Sequence, residues 1–205
     1  LPQTGDTPII APVVGMLNEK LRGISIGEVV KRDPAGFLFT GLSLGESPED
    51  RAGAVASACD AVPADKPRFV VGEGGPEEVL RLVAAGVDVV DTDFPRWCTS
   101  MRYALTLRVK DSDPPSTSGE LGDATKFSVV DVRNERDAQP LQSGCPCYAC
   151  ANHSRAYVYH LCNVHEMLAP TLLQVHNMHV YMRFFTAIRE AIAAGKFEEY
   201  RAWFL

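Results

Sequence analysis

PRFVVGEGGPEEVLRLVAAGVDVVD, residues 67–91, decides the fold class, because it holds a strand, a helix and the next strand in one stretch. Pro67-Arg68-Phe69-Val70-Val71-Gly72 is a short apolar run of strand-forming residues. Gly75-Pro76-Glu77-Glu78 then opens a helix: proline suits the first helical position, and acids in the first turn complement the helix dipole. Val79, Leu80, Leu82 and Val83 form its buried side, and Gly86 ends it. Val87-Asp88-Val89-Val90-Asp91 is the next strand. The same unit recurs upstream. Residues 8–14 and 36–40 read as strands. Leu17, Leu21, Ile24 and Val29 space a helix over 17–31, and Ser47-Pro48-Glu49-Asp50 opens another that runs to Cys59. Tyr103 to Val109 reads as a fifth strand. This alternation predicts a parallel α/β fold. An eight-unit barrel takes about 250 residues, so the units before residue 110 form either a small doubly wound sheet or the C-terminal half of a barrel.

Composition sets the outer bounds. Hydrophobic residues make up 46% of the 205, enough for a real core, which excludes a disordered tail, a collagen-like rod and a disulfide miniprotein. A net charge of -6 argues against a strongly basic nucleic-acid glove. Residues 151–205 carry +1 and the rest -7, so phosphate contacts are expected at the C-terminal end. No apolar run reaches the roughly 18 residues of a membrane helix. The chain opens with Leu1 and no signal-peptide pattern follows, so a truncated or processed chain is expected. Leu1-Pro-Gln-Thr-Gly5 matches a sortase signal without its apolar tail and reads as coincidence or a tag scar. Asp111–Thr125 (DSDPPSTSGELGDAT) reads as a flexible inserted loop. Ser154 to Leu205 is helical in character, with a C-cap at Gly195 and a last short helix after it.

Six cysteines are present, and four of them fall between Cys145 and Cys162. Clustering suits a metal site better than a disulfide framework and indicates a reducing compartment. Cys145-x-Cys147-x-x-Cys150 can supply three thiolates to one Zn²⁺, which takes four ligands in a tetrahedron. Three buried free cysteines are the alternative, but this spacing on a Gly-Pro loop favours a metal. His153, His160, Cys162, His165, His176 and His179 are candidates for the fourth ligand. A closed site of three Cys and one His leaves no open position for water and is structural.

Several motifs in order carry a resemblance. Cys145-Pro-Cys147-Tyr-Ala-Cys150 is followed by Ser154-Arg155-Ala156-Tyr157, Glu166-Met167-Leu168 and His176-Asn177. Upstream stand Gly41-Leu42-Ser43-Leu44-Gly45-Glu46, Pro63-Ala64-Asp65-Lys66-Pro67-Arg68 and Gly86-Val87-Asp88. Over residues 9–205, the inserted loop aside, the chain resembles the tRNA-guanine transglycosylase family. The resemblance implies a TIM barrel with a zinc subdomain, His176 as the fourth zinc ligand, and chemistry in which an aspartate attacks the ribose so that guanine at the tRNA wobble position is exchanged for a 7-deazaguanine. It divides the chain into later βα units of the barrel (1–110), an inserted loop (111–126), and the zinc subdomain with C-terminal helices (127–205). The earlier strands are expected in an N-terminal portion outside this sequence.

The departures matter as much. Val14-Gly15-Met16-Leu17-Asn18 stands where catalytic members have Q-G-G, and Thr40-Gly41 replaces a double glycine. Leu44 takes the place of a small residue that leaves room for queuine. Asp91 sits at the nucleophile's position, but the T-R and A-R-x-G motifs beyond it are gone. Asp91 is therefore read as vestigial, and Glu46 as a turn cap rather than a base reader. These losses resemble the non-catalytic accessory branch of the eukaryotic enzyme. That branch implies a heterodimer with a catalytic queuine tRNA-ribosyltransferase subunit, tRNA as a partner, a homodimer in isolation, and a cytoplasmic location peripheral at the mitochondrial outer membrane. An active transglycosylase using Asp91 is the alternative.

Overall fold

A computed structural model describes residues 7–15, 17–72, 74–110, 113, 122–123 and 125–205. The reading of Leu1-Pro-Gln-Thr-Gly5 lies outside them, as does most of Asp111–Thr125. The chain forms two compact units, Leu1–Asp93 and Phe94–Leu205.

The first unit alternates strand and helix: β1 (Ile10–Val13), α1 (Glu19–Val30), β2 (Gly36–Phe39), α2 (Pro48–Asp60), β3 (Arg68–Gly72), α3 (Pro76–Ala84) and β4 (Val89–Thr92). All strand pairings are parallel and the spatial order is β1-β2-β3-β4, the order of the sequence. An unreversed order is singly wound, which excludes the doubly wound alternative for these four strands. Register places Val13, Phe39, Val70 and Val90 in one row across the sheet. That row faces the helices and packs with Ile26, Val55, Cys59 and Leu82. Side chains alternate across a strand, so Pro12, Leu38, Phe69 and Val89 form a row on the opposite side. On that second face Val71 and Val89 are 47% and 42% exposed.

Local chemistry sets the helix ends. The Asn18 side chain accepts from the Leu21 N–H at the start of α1, and Ser47 Oγ accepts from the Asp50 N–H at the start of α2. Gly86 follows α3 at φ +95°, a conformation glycine adopts without strain. The helix expected over 17–31 is present, but its buried face is not the one expected. Leu17, Leu21 and Ile24 are exposed, and Arg22 and Ile26, four residues apart, turn inward instead.

The second unit comprises α4 (Phe94–Ser100), β5 (Tyr103–Leu105), β6 (Gly122–Asp123), β7 (Lys126–Ser128), a 3₁₀ turn at Val132–Asn134, α5 (Tyr148–Asn152), α6 (Arg155–Asn163), α7 (Leu168–Ala193) and α8 (Phe197–Phe204). The fifth strand does not extend the parallel sheet. It pairs antiparallel with β7 in a separate sheet of order β5-β7-β6. Its regular pairing ends at Leu105, although Leu107 and Val109 stay buried. Helix α7 is 26 residues long and packs against α4, α5, α6, α8 and β5. Leu172, Leu173, Val180, Phe184 and Ile188 form its inner face. No helix among the described residues is long and apolar enough to cross a membrane.

Candidate metal centre

The loop from Asp137 to Cys147 carries two of the three cysteines, and a buried arginine shapes it. Arg155, 4% exposed, donates from Nε to the Pro140 carbonyl at 3.0 Å, from Nη1 to Asp137 at 3.1 Å and from Nη2 to the Leu141 carbonyl at 3.2 Å. Its guanidinium also lies over the Phe127 ring, 4.6 Å from the centroid. Arg155 is thus a structural residue, its charge spent inside the protein. Gln142 follows, donating to the Leu107 carbonyl at 3.0 Å, and its own carbonyl accepts from the Cys145 N–H at 3.2 Å. Cys147 caps α5, its sulfur accepting from the Cys150 N–H at 3.4 Å. That bond folds the Cys-x-x-Cys turn so that both sulfurs point the same way.

Helix α7 brings the fourth group. His176 Nδ1 lies 3.8 Å from Cys145 Sγ, 3.5 Å from Cys147 Sγ and 3.3 Å from Cys150 Sγ. All four ligand atoms fall within 4.8 Å of one another. Zinc bonds of about 2.3 Å to sulfur and about 2.0 Å to nitrogen give a tetrahedral S···N edge of roughly 3.5 Å. The three observed edges straddle that value, and the donor set suits one metal ion. Cys162, His153, His160, His165 and His179 are not part of this cluster.

The neighbouring shell fixes the imidazole. His176 Nε2 donates to the Leu105 carbonyl at 2.8 Å, which leaves Nδ1 as the atom facing the sulfurs. Asn177, the next residue, accepts the Leu105 N–H at 2.9 Å and donates to Thr99 Oγ1 and the Tyr103 carbonyl, both at 3.0 Å. Adjacent side chains of α7 therefore satisfy both backbone groups of one β5 residue. His176 and Asn177 are fully buried.

The electrostatics call for a cation. Hydrogen bonds from Cys145 and Cys150 push the Cys147 thiol far below its ordinary value, while the same crowding, from Cys145 and Cys147, drives Cys150 far above it. Burial lowers the basicity of His176, but Cys145 and Cys147 outweigh it and lift the imidazole to about 9. A metal ion held by these four residues would take the place of the proton on Nδ1 and let all three sulfurs ionise.

The parallel sheet holds the other candidates. Asp91 stands near the C-terminal end of β4, level with Val71 on the face away from the helices; it is exposed and has no hydrogen-bond partner among the described residues. Glu46 is buried and spent on its own loop. It accepts from the Ser43 and Leu44 N–H groups and from Arg51 Nε at 2.7 Å, and Arg51 also pairs with Glu78. Burial raises the Glu46 carboxyl, but Arg51 and those N–H groups win and hold it at about 2. Leu44 projects from the same loop, 71% exposed.

A family model described as queuine tRNA-ribosyltransferase matches residues 2–205. The chain belongs to the queuine tRNA-ribosyltransferase family. Among curated relatives in that family, the queuine tRNA-ribosyltransferase accessory subunit 2 of Anopheles gambiae is 40% identical over 201 residues, covering 94% of this chain and 46% of the relative. The protein of the same name from Xenopus tropicalis is 37% identical over 88% of this chain and 49% of its own length. A queuine tRNA-ribosyltransferase from Ruegeria is 34% identical over 93% of this chain and 46% of its own length. The chain thus spans about half the length of the queuine tRNA-ribosyltransferase relatives it matches. Within this family member, spacing alone marked the three cysteines. Arg51 carried no signal in the sequence, and Arg155 and Asn177 stood out there only as parts of the family motifs Ser154-Arg155-Ala156-Tyr157 and His176-Asn177, with no structural role attached.

Proposed function

We propose that this chain is the later part of a non-catalytic accessory subunit of queuine tRNA-ribosyltransferase. The subunit supports exchange of guanine for queuine at the tRNA wobble position, paired as a heterodimer with a catalytic subunit. The observation that carries the reading is the setting of Asp91: a carboxylate stands at a strand end without the flanking motifs of catalytic members, in a chain 34–40% identical to proteins named accessory subunit 2. The burial of Glu46 in its own loop supports it, since that carboxylate is not presented to a base.

The four singly wound strands are the later strands of a (β/α)₈ barrel. Their apolar, exposed second face is what a barrel interior shows when only an arc of it is present. On this reading residues 1–110 hold those units, 111–126 an insertion that includes β6 and the first residue of β7, and 127–205 the zinc subdomain with its helices. Cys145, Cys147, Cys150 and His176 hold one structural Zn²⁺, which ties α7 to the cysteine turn. Bound there, zinc supplies charge neutralisation and a cross-link; with four protein ligands it offers no position for water. The family resemblance also assigns tRNA as a partner, a homodimer in isolation, and a cytoplasmic site at the mitochondrial outer membrane.

Base exchange into tRNA with labelled guanine or queuine tests the reading, using the full-length protein alone and mixed with a catalytic subunit. Silence alone, with activity in the mixture above that of the partner by itself, is expected, and Asp91→Asn leaves that enhancement unchanged. Activity alone that Asp91→Asn abolishes would make Asp91 a working nucleophile and end the accessory reading.

A further inference from the structure

Among the described residues, only Asp33, Ser43, Arg102 and His165 are non-glycine residues with φ in the left-handed region. The last two, at φ +59° each, line the same cavity. Backbone strain of this kind collects at binding sites, where a side chain is needed in a direction the relaxed chain would not give. Histidine tolerates the conformation; for arginine it is a true departure.

The cavity lies in the second unit, between the end of α4 and the turn joining α6 to α7, and measures about 320 Å³. That is the low end of the range for small-molecule sites. Its floor is apolar, with Leu161, Ala169, Pro170 and Leu173. Its polar groups are unevenly divided. Arg102 Nη2 lies 3.4 Å from His165 Nδ1. A guanidinium only donates, so Nδ1 accepts and the imidazole proton sits on Nε2. Both side chains then present N–H donors. Glu166 supplies an acceptor carboxylate on the same lining.

An apolar floor, a donor pair that includes a permanent cation, and one carboxylate match a ligand of three parts. We propose that this cavity binds a single nucleotide, its phosphate on Arg102 and His165, its flat base on the Leu161–Leu173 floor, and its amino edge toward Glu166. A bare phosphate is a poorer fit, because Glu166 repels it and the floor gains nothing. The phosphate belongs either to a free nucleotide or to one unstacked residue of an RNA strand, and the shared chemistry is a phosphate joined to a base. The inference does not rest on the accessory reading, since its test needs neither a catalytic subunit nor base exchange.

The test is calorimetric titration of the metal-loaded chain with GMP, guanosine, inorganic phosphate and an unstructured RNA hexamer, repeated with Arg102→Gly. Glycine adopts φ +59° freely, so this variant folds with an unchanged or higher melting temperature. The expected result is saturable binding of GMP or of the hexamer, at least tenfold weaker binding of guanosine and phosphate, and at least a tenfold loss in Arg102→Gly. Binding of GMP that the hexamer does not displace identifies a free nucleotide; a hexamer that binds alone, or displaces GMP, identifies an RNA strand. No saturable binding of GMP or hexamer at millimolar concentration overturns the proposal. So does phosphate or guanosine binding as well as GMP, or an Arg102→Gly variant that binds like the parent.

Discussion

Replacing His176 by alanine separates the metal from the packing around it. The substitution removes one of four ligands and opens a hole at a fully buried position. It also strands the Leu105 carbonyl, which now accepts from Nε2 at 2.8 Å. An unsatisfied buried acceptor costs about 1–3 kcal/mol, and large-to-small changes in a core cost about 2–5 kcal/mol. The two together approach the whole stability of a small domain, about 5–15 kcal/mol, before the lost metal is counted. Asn177→Ala is the matched control. It leaves all four ligands but strands the Leu105 N–H and the Tyr103 carbonyl, a loss of about 3 kcal/mol, or roughly 10 °C in melting temperature. Metal content by mass spectrometry after gel filtration, with thermal unfolding followed by circular dichroism with and without chelator, reads both variants. The parent chain and Asn177→Ala carry one metal per chain, and chelation lowers their melting temperatures. His176→Ala carries substoichiometric metal and no longer responds to chelator. A His176→Ala chain with one metal and the parent's melting temperature would refute the four-ligand reasoning, and a folded but metal-free Asn177→Ala would refute the division of roles.

Other perturbations read other parts of the chain. Arg51→Ala leaves Glu46 and Glu78 unpaired in a mostly buried setting, and urea unfolding should show a loss of about 3–5 kcal/mol. Folding holds the Glu46 carboxyl at about 2, below its ordinary 4.5, so its contribution is complete above 4.5 and fades as pH falls toward 2. After allowance for solvent screening that contribution is about 2 kcal/mol, and the stability gap between the parent and Glu46→Gln should close across that window; a gap constant from pH 6 to pH 2.5 would count against it. Arg155→Lys keeps the charge but cannot fill three acceptors and cover Phe127 with a planar group, so it should destabilise the second unit by about 2–3 kcal/mol. Proteolysis between Asp137 and Cys147, faster in the variant than in the parent, is the local readout.

The parts of the fold that were legible in the sequence are those written locally. Ser47-Pro48 and Gly75-Pro76 start helices by chemistry confined to a few residues, and both helices lie where those signals put them. Strand order is not local, and the choice between singly and doubly wound sheets needed the pairing of β1 with β2 and of β3 with β4. Helix α1 was misread because three apolar residues at helical spacing suggested a buried stripe, whereas the inward face is set by Arg22 and Ile26. The fifth strand was overextended because burial continues to Val109 after the ladder has stopped; the Thr106 N–H goes instead to the Thr125 carbonyl, 2.7 Å away. Three members of the Cys–His cluster were plain from spacing. The fourth lies 26 residues beyond Cys150 on a helix, and only family resemblance singled it out from five other candidates. The net charge of residues 151–205 counted Arg155 like any other cation, because composition carries no information on burial, and its side chain is buried.

The adjacent pair His176-Asn177 also acts as an alignment key. Neighbouring side chains on a helix point about 100° apart, so an imidazole and an amide can meet the carbonyl and the N–H of one strand residue in a single rotational setting of α7. Slipping the helix by one residue would offer Leu105 the pair Val175-His176 or Asn177-Met178, and one of its two groups would lose its partner. A metal on Nδ1 would lock that setting. The setting in turn decides which way the outer stripe of α7 looks, and from Leu168 to Met182 that helix carries no Asp, Glu, Lys or Arg. Loss of the metal would therefore be felt along the outside of α7 as a change of aim, far beyond the four atoms that hold the ion.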